Sequence, residues 1–149
     1  MNARWLVLAS ALTGCYDPDV GEAFEVPGDG GDGVVPGCNN GDTDPGVMVS
    51  FSEDVLPLFT RSPGGCTGCH LGRATAGLEM SSYQAMNRGG TNSGVRMIVA
   101  TEPCNSILIQ KLGRTPPFGS RMPLNGPPYF SPEELQVVRD WIAEGATNN

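Results

Sequence analysis

The pentapeptide Cys66-Thr67-Gly68-Cys69-His70 constrains this chain more than any other stretch. Cys-x-x-Cys-His is the spacing of a covalent c-type haem attachment site. Its two thiols can form thioethers with the haem vinyl groups, and the adjacent imidazole then ligates the iron from one face. His70 is the chain's one histidine among 149 residues. Shuffling five cysteines and one histidine would produce this match in about one chain per thousand. Aromatic residues make up 7% of the sequence. A covalent haem would supplement so sparse a core with a large apolar disc.

The N-terminus fits an exported protein. Met1-Asn2-Ala3-Arg4 gives a positive start, and Trp5 to Leu12 is a short apolar run. That is a signal-peptide pattern, too short to cross a bilayer as a mature helix. It ends at Leu12-Thr13-Gly14-Cys15, which resembles a bacterial lipobox. The expectation is a lipoprotein signal over residues 1–14 and lipidation of Cys15. The alternative is an ordinary signal peptide followed by an unrelated cysteine. Either one delivers the chain to an oxidising compartment, where Cys38 and Cys104, not needed for haem or lipid, would pair or stay as two thiols.

Residues 15–46 read as an acidic tether rich in Gly, Asp and Pro. They hold eight acids and no base, whereas residues 47–149 hold eight of each. Gly, Pro, Asp and Asn favour turns and extended chain over packed elements. The charge of −7 therefore belongs to the tether, which would stand off a membrane surface by self-repulsion. A Ca²⁺ loop is the competing reading of the Asp/Gly spacing, but no EF-hand pattern with its closing Glu is present. The balanced remainder offers no charge signature for nucleic acid.

The remainder, 47–149, carries helix signals and no strong strand signal. Ser52-Glu53-Asp54-Val55-Leu56-Pro57-Leu58-Phe59 predicts a short helix capped by Ser52, with Pro57 in its first turn or at a bend. Further short helices are expected near Ser82–Asn87 and over 105–112, where Ile107–Ile109 would also suit a strand. Ser131-Pro132-Glu133-Glu134 is a capping box with Pro at the first helical position. After it, Leu135, Val138 and Ile142 form one apolar stripe flanked by Trp141, and Gly145 marks a stop.

A haem held by His70 has a second axial position. A thioether there raises the reduction potential, as suits electron transfer. Among six methionines, Met122 is the chosen candidate. Pro116, Pro117, Pro123, Pro127 and Pro128 limit the freedom of its loop. The competing assignment makes Met122 a core filler, with Met97 or water on the iron. Arg121, with Lys111 or Arg114, would neutralise the haem propionates, or else be ordinary solvated surface charge.

Taken together, several stretches resemble the planctomycete type of bacterial monohaem cytochrome c domain over about residues 51–146. They are Cys66–His70, Gly77-Leu78-Glu79-Met80, Arg88-Gly89-Gly90, Asn105-Ser106-Ile107-Leu108-Ile109, Arg121-Met122-Pro123 and Trp141-Ile142-Ala143-Glu144-Gly145-Ala146. The resemblance implies a mainly α, class I-like fold of about three to five helices around one covalent haem c. It also implies thioethers at Cys66 and Cys69, a proximal His70 and a distal Met122. The resulting expectation is a non-enzymatic electron carrier of the bacterial envelope. It would be held at the outer membrane or facing the periplasm by its lipid anchor, with a redox protein as partner and no small-molecule substrate. The first alternative is a haem enzyme or gas sensor with a labile distal ligand, weakened by the lack of a second histidine. The other is a structural zinc site of Cys66, Cys69, His70 and Cys104, in which adjacent Cys69 and His70 are awkward for a tetrahedron.

Overall fold

Ser131 opens the longest helix of the domain, and its geometry follows the sequence closely. A computed structural model describes residues 38–149. The Ser131 side chain accepts from the Glu134 N–H at 3.2 Å, and Glu134 Oε2 accepts from the Ser131 N–H at 2.8 Å. Pro132 fills the first helical position, where a missing N–H costs nothing. The described residues form helices and helical turns joined by loops, and contain no strand. In chain order the α-helices are α1 Leu56–Thr60, α2 Thr67–His70, α3 Tyr83–Asn87, α4 Ile107–Leu112 and α5 Pro132–Ala143. A π-helical turn, Phe51–Val55, leads into α1, and 3₁₀ turns cover Thr75–Gly77, Gly94–Met97 and Pro103–Asn105.

The core forms where α5 meets α4 and the π-helical turn. Val138, Trp141 and Ile142 of α5 are fully buried with Val55 and Phe59. Trp141 packs against Phe51 with ring centroids 5.4 Å apart and against the edge of Tyr83 at 6.3 Å. Leu135 is only partly buried at the margin of this cluster. Helix α4 is buried nearly all round: Ile107, Leu108, Ile109, Gln110 and Leu112 are all inside. A helix without a polar face belongs in a core, and the 107–109 run is accordingly helical rather than extended.

Three expectations shift. The cap of the first helical stretch is Ser50, whose hydroxyl accepts from the Glu53 N–H at 3.2 Å, whereas Ser52 lies inside the π-helical turn. Pro57 stands at the junction where that turn becomes α1, a place where its missing N–H is tolerated. Residues 38–46, read as the end of the tether, are bonded to the domain. Cys38 and Cys104 are joined by a disulfide. Asn40 Oδ1 accepts from the Cys104 N–H at 2.9 Å, and both carboxylate oxygens of Asp140 accept from Thr43, at 2.9 and 2.7 Å. The signal segment 1–14, Cys15 and the tether up to residue 37 lie outside the described residues. Among those described, no helix is long and apolar enough to cross a membrane.

Candidate functional site

Gly65 explains how the Cys66–His70 segment is set in place. A Cβ there would stand 2.3 Å from the Arg61 carbonyl oxygen and 2.7 Å from that of Phe59. Only glycine permits this approach, and the Cys66 N–H follows by donating to Phe59 O at 2.6 Å. The chain then turns through α2, where the His70 N–H donates to Cys66 O at 2.9 Å. The whole motif is thereby moored to the end of α1.

His70 is held on both its backbone and its ring. Its carbonyl accepts from the Met80 N–H at 2.7 Å, and its Nδ1 lies 3.1 Å from the Leu78 carbonyl oxygen. A carbonyl can only accept, so Nδ1 carries the proton and Nε2 keeps its lone pair. Burial lowers the His70 pKa below the usual imidazole value, partly opposed by the Leu78 hydrogen bond and the Glu79 charge. The ring is therefore neutral at neutral pH, the state that ligates metals.

Met122 reaches the same region from the other end of the chain. Its N–H donates to the Lys111 carbonyl at 2.8 Å, and Lys111 Nζ donates to the carbonyls of Phe118 and Ser120 at 2.7 and 2.6 Å. Lys111 thus folds the 113–122 loop back over the end of α4. The sequence reading offers Lys111 for propionate charge; its bonding shows a loop clamp, a role that no local pattern announces.

Two adjoining cavities meet at these groups. The first has an empty volume of about 680 Å³, counting space open to solvent, and its lining includes Cys66, His70, Met80, Met97, Leu112 and Met122. The second, about 520 Å³ on the same measure, is lined by Cys66, Cys69, His70, Thr75, Met122 and Leu124 among others. Cys66, His70, Ala76 and Met122 border both. Void space therefore flanks a histidine–methionine pair drawn from positions 52 residues apart (122 less 70).

The remaining candidates divide. Cys66 is a free thiol, half-buried, and burial pushes its pKa up to about 11, only partly countered by Arg61. Cys69 is disulfide-bonded, a state that excludes a thioether at the same sulfur until the bond is reduced. Arg121 borders neither cavity. Its Nε donates to Leu112 O at 3.1 Å and its guanidinium stacks 4.0 Å over the Tyr129 ring. Arg121 faces a separate cleft with Arg114 and Arg139. Met80 and Met97 are core residues bordering the first cavity, Met86 is fully buried, and Met48 is exposed.

The cysteine set predicts an ordered labelling pattern in protein purified without haem attachment. Thiolate is the reactive form, so a thiol with a pKa near 11 stays protonated at pH 7. Alkylation of Cys66 should be slow there and accelerate as pH rises toward that value. Cys69 should be labelled only after reduction. Peptide mass mapping after iodoacetamide treatment, with and without reductant, measures both; rapid Cys66 labelling at pH 7 would contradict its burial.

Cys104 is nearly fully buried, and its sulfur is taken up in the bond to Cys38. Among the described residues no three His, Cys, Asp or Glu side chains gather as a metal-holding group, so the four-residue zinc site is not assembled. No family model, curated protein or solved structure matches this chain.

Proposed function

We propose that this chain is an exported, lipid-anchored monohaem c-type cytochrome with a class I-like fold, carrying electrons at the bacterial envelope. The observation that carries this reading is the shared border of the two cavities: Cys66 of the attachment motif, its adjacent His70, and Met122. The residues present suit the group. Nε2 of His70 keeps its lone pair because Nδ1–H donates to Leu78 O, and such outer hydrogen bonds orient metal-ligating histidines. The surrounding side chains are mainly apolar, as a macrocycle requires.

When bound, haem supplies a one-electron ferric–ferrous couple. The chain's own work is to anchor, orient and enclose. Cys66 and Cys69 would hold the group covalently, which requires both sulfurs as thiols. His70 and, from the Lys111-clamped loop, the Met122 thioether would hold the iron. Held by both side chains, the group would supply outer-sphere electron transfer. Cys15 carries the lipid, and the acidic segment after it spaces the domain from the membrane.

The deciding experiment is the visible spectrum of the full chain expressed with haem-attachment machinery. A sharp reduced α band, with haem fluorescence that stays on the polypeptide in a denaturing gel, is the expected result. Protein that emerges colourless from a host that matures other c-type cytochromes would sink the reading. Replacing both Cys66 and Cys69 by Ala should remove the covalent haem from the gel while leaving expression intact.

A further inference from the structure

A second cleft lies beside α5 and carries an unusual charge arrangement. Arg114, Arg121 and Arg139 line it together with Phe130, Ser131 and Leu135, around an empty volume of about 900 Å³ that includes open space. Three of the eight basic residues of the 47–149 region thus converge on one concavity, in a chain of net charge −7. The ion pair among the described residues is Arg61–Glu134, so none of the three has a carboxylate partner there. No acidic residue lines the cleft. Nearby acids in sequence are already engaged: Asp140 with Thr43 and Gln136, Glu134 with Arg61 and the Ser131 N–H, Glu133 with the Ser131 hydroxyl.

The three guanidiniums differ in a way that suits a ligand. Arg121 is pre-set by its stacking on Tyr129 and its bond to Leu112 O, which uses Nε and leaves both terminal nitrogens to donate. Arg139 Nε is buried without a hydrogen-bond partner. A buried donor left unmatched is costly, and three neighbouring cations repel one another. Arg114 is exposed at the rim and can swing onto a bound group. One multiply charged oxyanion relieves the repulsion and supplies several acceptors at once. Arginine forks match phosphate geometry with paired N–H donors.

We propose that this cleft, between the 113–121 loop and the first two turns of α5, binds a phosphate-class oxyanion. The inference does not depend on haem, because the cleft and the His70–Met122 cavities have no lining residue in common. Free phosphate and a lipid headgroup phosphate present the same chemistry, and an experiment with two arms separates them.

In the first arm, equilibrium dialysis of the full chain against radiolabelled inorganic phosphate is run at fixed ionic strength. Saturable one-site binding is expected, weakened at least about tenfold in R114Q and in R139Q, since each removes a charged donor. R96Q, which alters an exposed arginine outside the cleft, serves as the reference and should bind as wild type. R114Q lies at the exposed rim, so it reports even if R139Q unfolds. In the second arm, vesicles of phosphatidylcholine with and without phosphatidylglycerol are sedimented with the protein. Binding restricted to the anionic vesicles and lost in R114Q identifies the lipid phosphate as the source. The proposal is overturned if neither probe binds, or if R114Q and R96Q bind alike.

Discussion

Trp141→Ala is expected to cost about 4 kcal/mol of folding stability in the protein without cofactor, within the usual range for emptying a buried Trp site. The residue is completely buried. Its ring contacts Phe51 and Tyr83, and its Nε1 donates to the Thr147 carbonyl at 2.8 Å. The last bond matters because it draws the C-terminal residues over the end of α5. Tyr83 Oη makes a parallel link, donating to Ala146 O at 2.7 Å. Removing the indole therefore leaves a large cavity, an unmatched carbonyl and a loosened C-terminus together. A domain of this size has about 5–15 kcal/mol in total, so the variant should lie close to unfolding. Urea titration followed by circular dichroism measures the loss. Tyr83→Phe, which keeps the ring and deletes one hydrogen bond, should lose only about 1 kcal/mol. A Trp141→Ala loss no larger than that of Tyr83→Phe would show that the ring packing contributes little.

What could be read from the sequence depends on how local the physics is. The α5 helix was legible because its start is written in four consecutive residues, Ser131 to Glu134, and its stripe repeats at helical spacing. Cys66–His70 stands out in the sequence because covalent haem attachment would fix such a spacing. The cap at Ser50 was hidden by Ser52, since both residues precede the same acids and only backbone geometry chooses between them. Residues 38–46 looked like tether because Asn, Asp and Gly serve linkers and tight turns equally well. Their attachment through Thr43 to Asp140, 97 residues away, has no local signature. Arg121, although adjacent to Met122, lines a different cleft. Successive side chains in an irregular loop can point to different sides, and stacking on Tyr129 takes Arg121 to the other cleft. The same limit hid the clamp by Lys111 on the loop that follows it.

Met122→Ala carries the larger consequence for function under the proposed cytochrome reading. Wild-type ferric protein should show the weak band of methionine-to-iron charge transfer, and the variant should lose it entirely. Thioether ligation favours the reduced iron, so the midpoint potential should fall in the variant. The vacated position should let the ferrous protein take up stoichiometric CO at neutral pH, where wild type takes up little. These readouts distinguish ligation from packing, because Met122 also contributes to the apolar border of both cavities. Met122→Leu preserves that apolar bulk and lacks the sulfur. If Met122 is only a filler, Leu should restore the wild-type band and CO resistance. If it is the ligand, Leu should match Ala in both. Met97→Leu is the internal check: Met97 is buried and borders the first cavity alone, so its replacement should leave the band in place. A band that survives Met122→Ala and vanishes in Met97→Leu would transfer the distal role to Met97, and with it the geometry of the whole site from the Lys111-clamped loop to the Gly94–Met97 turn.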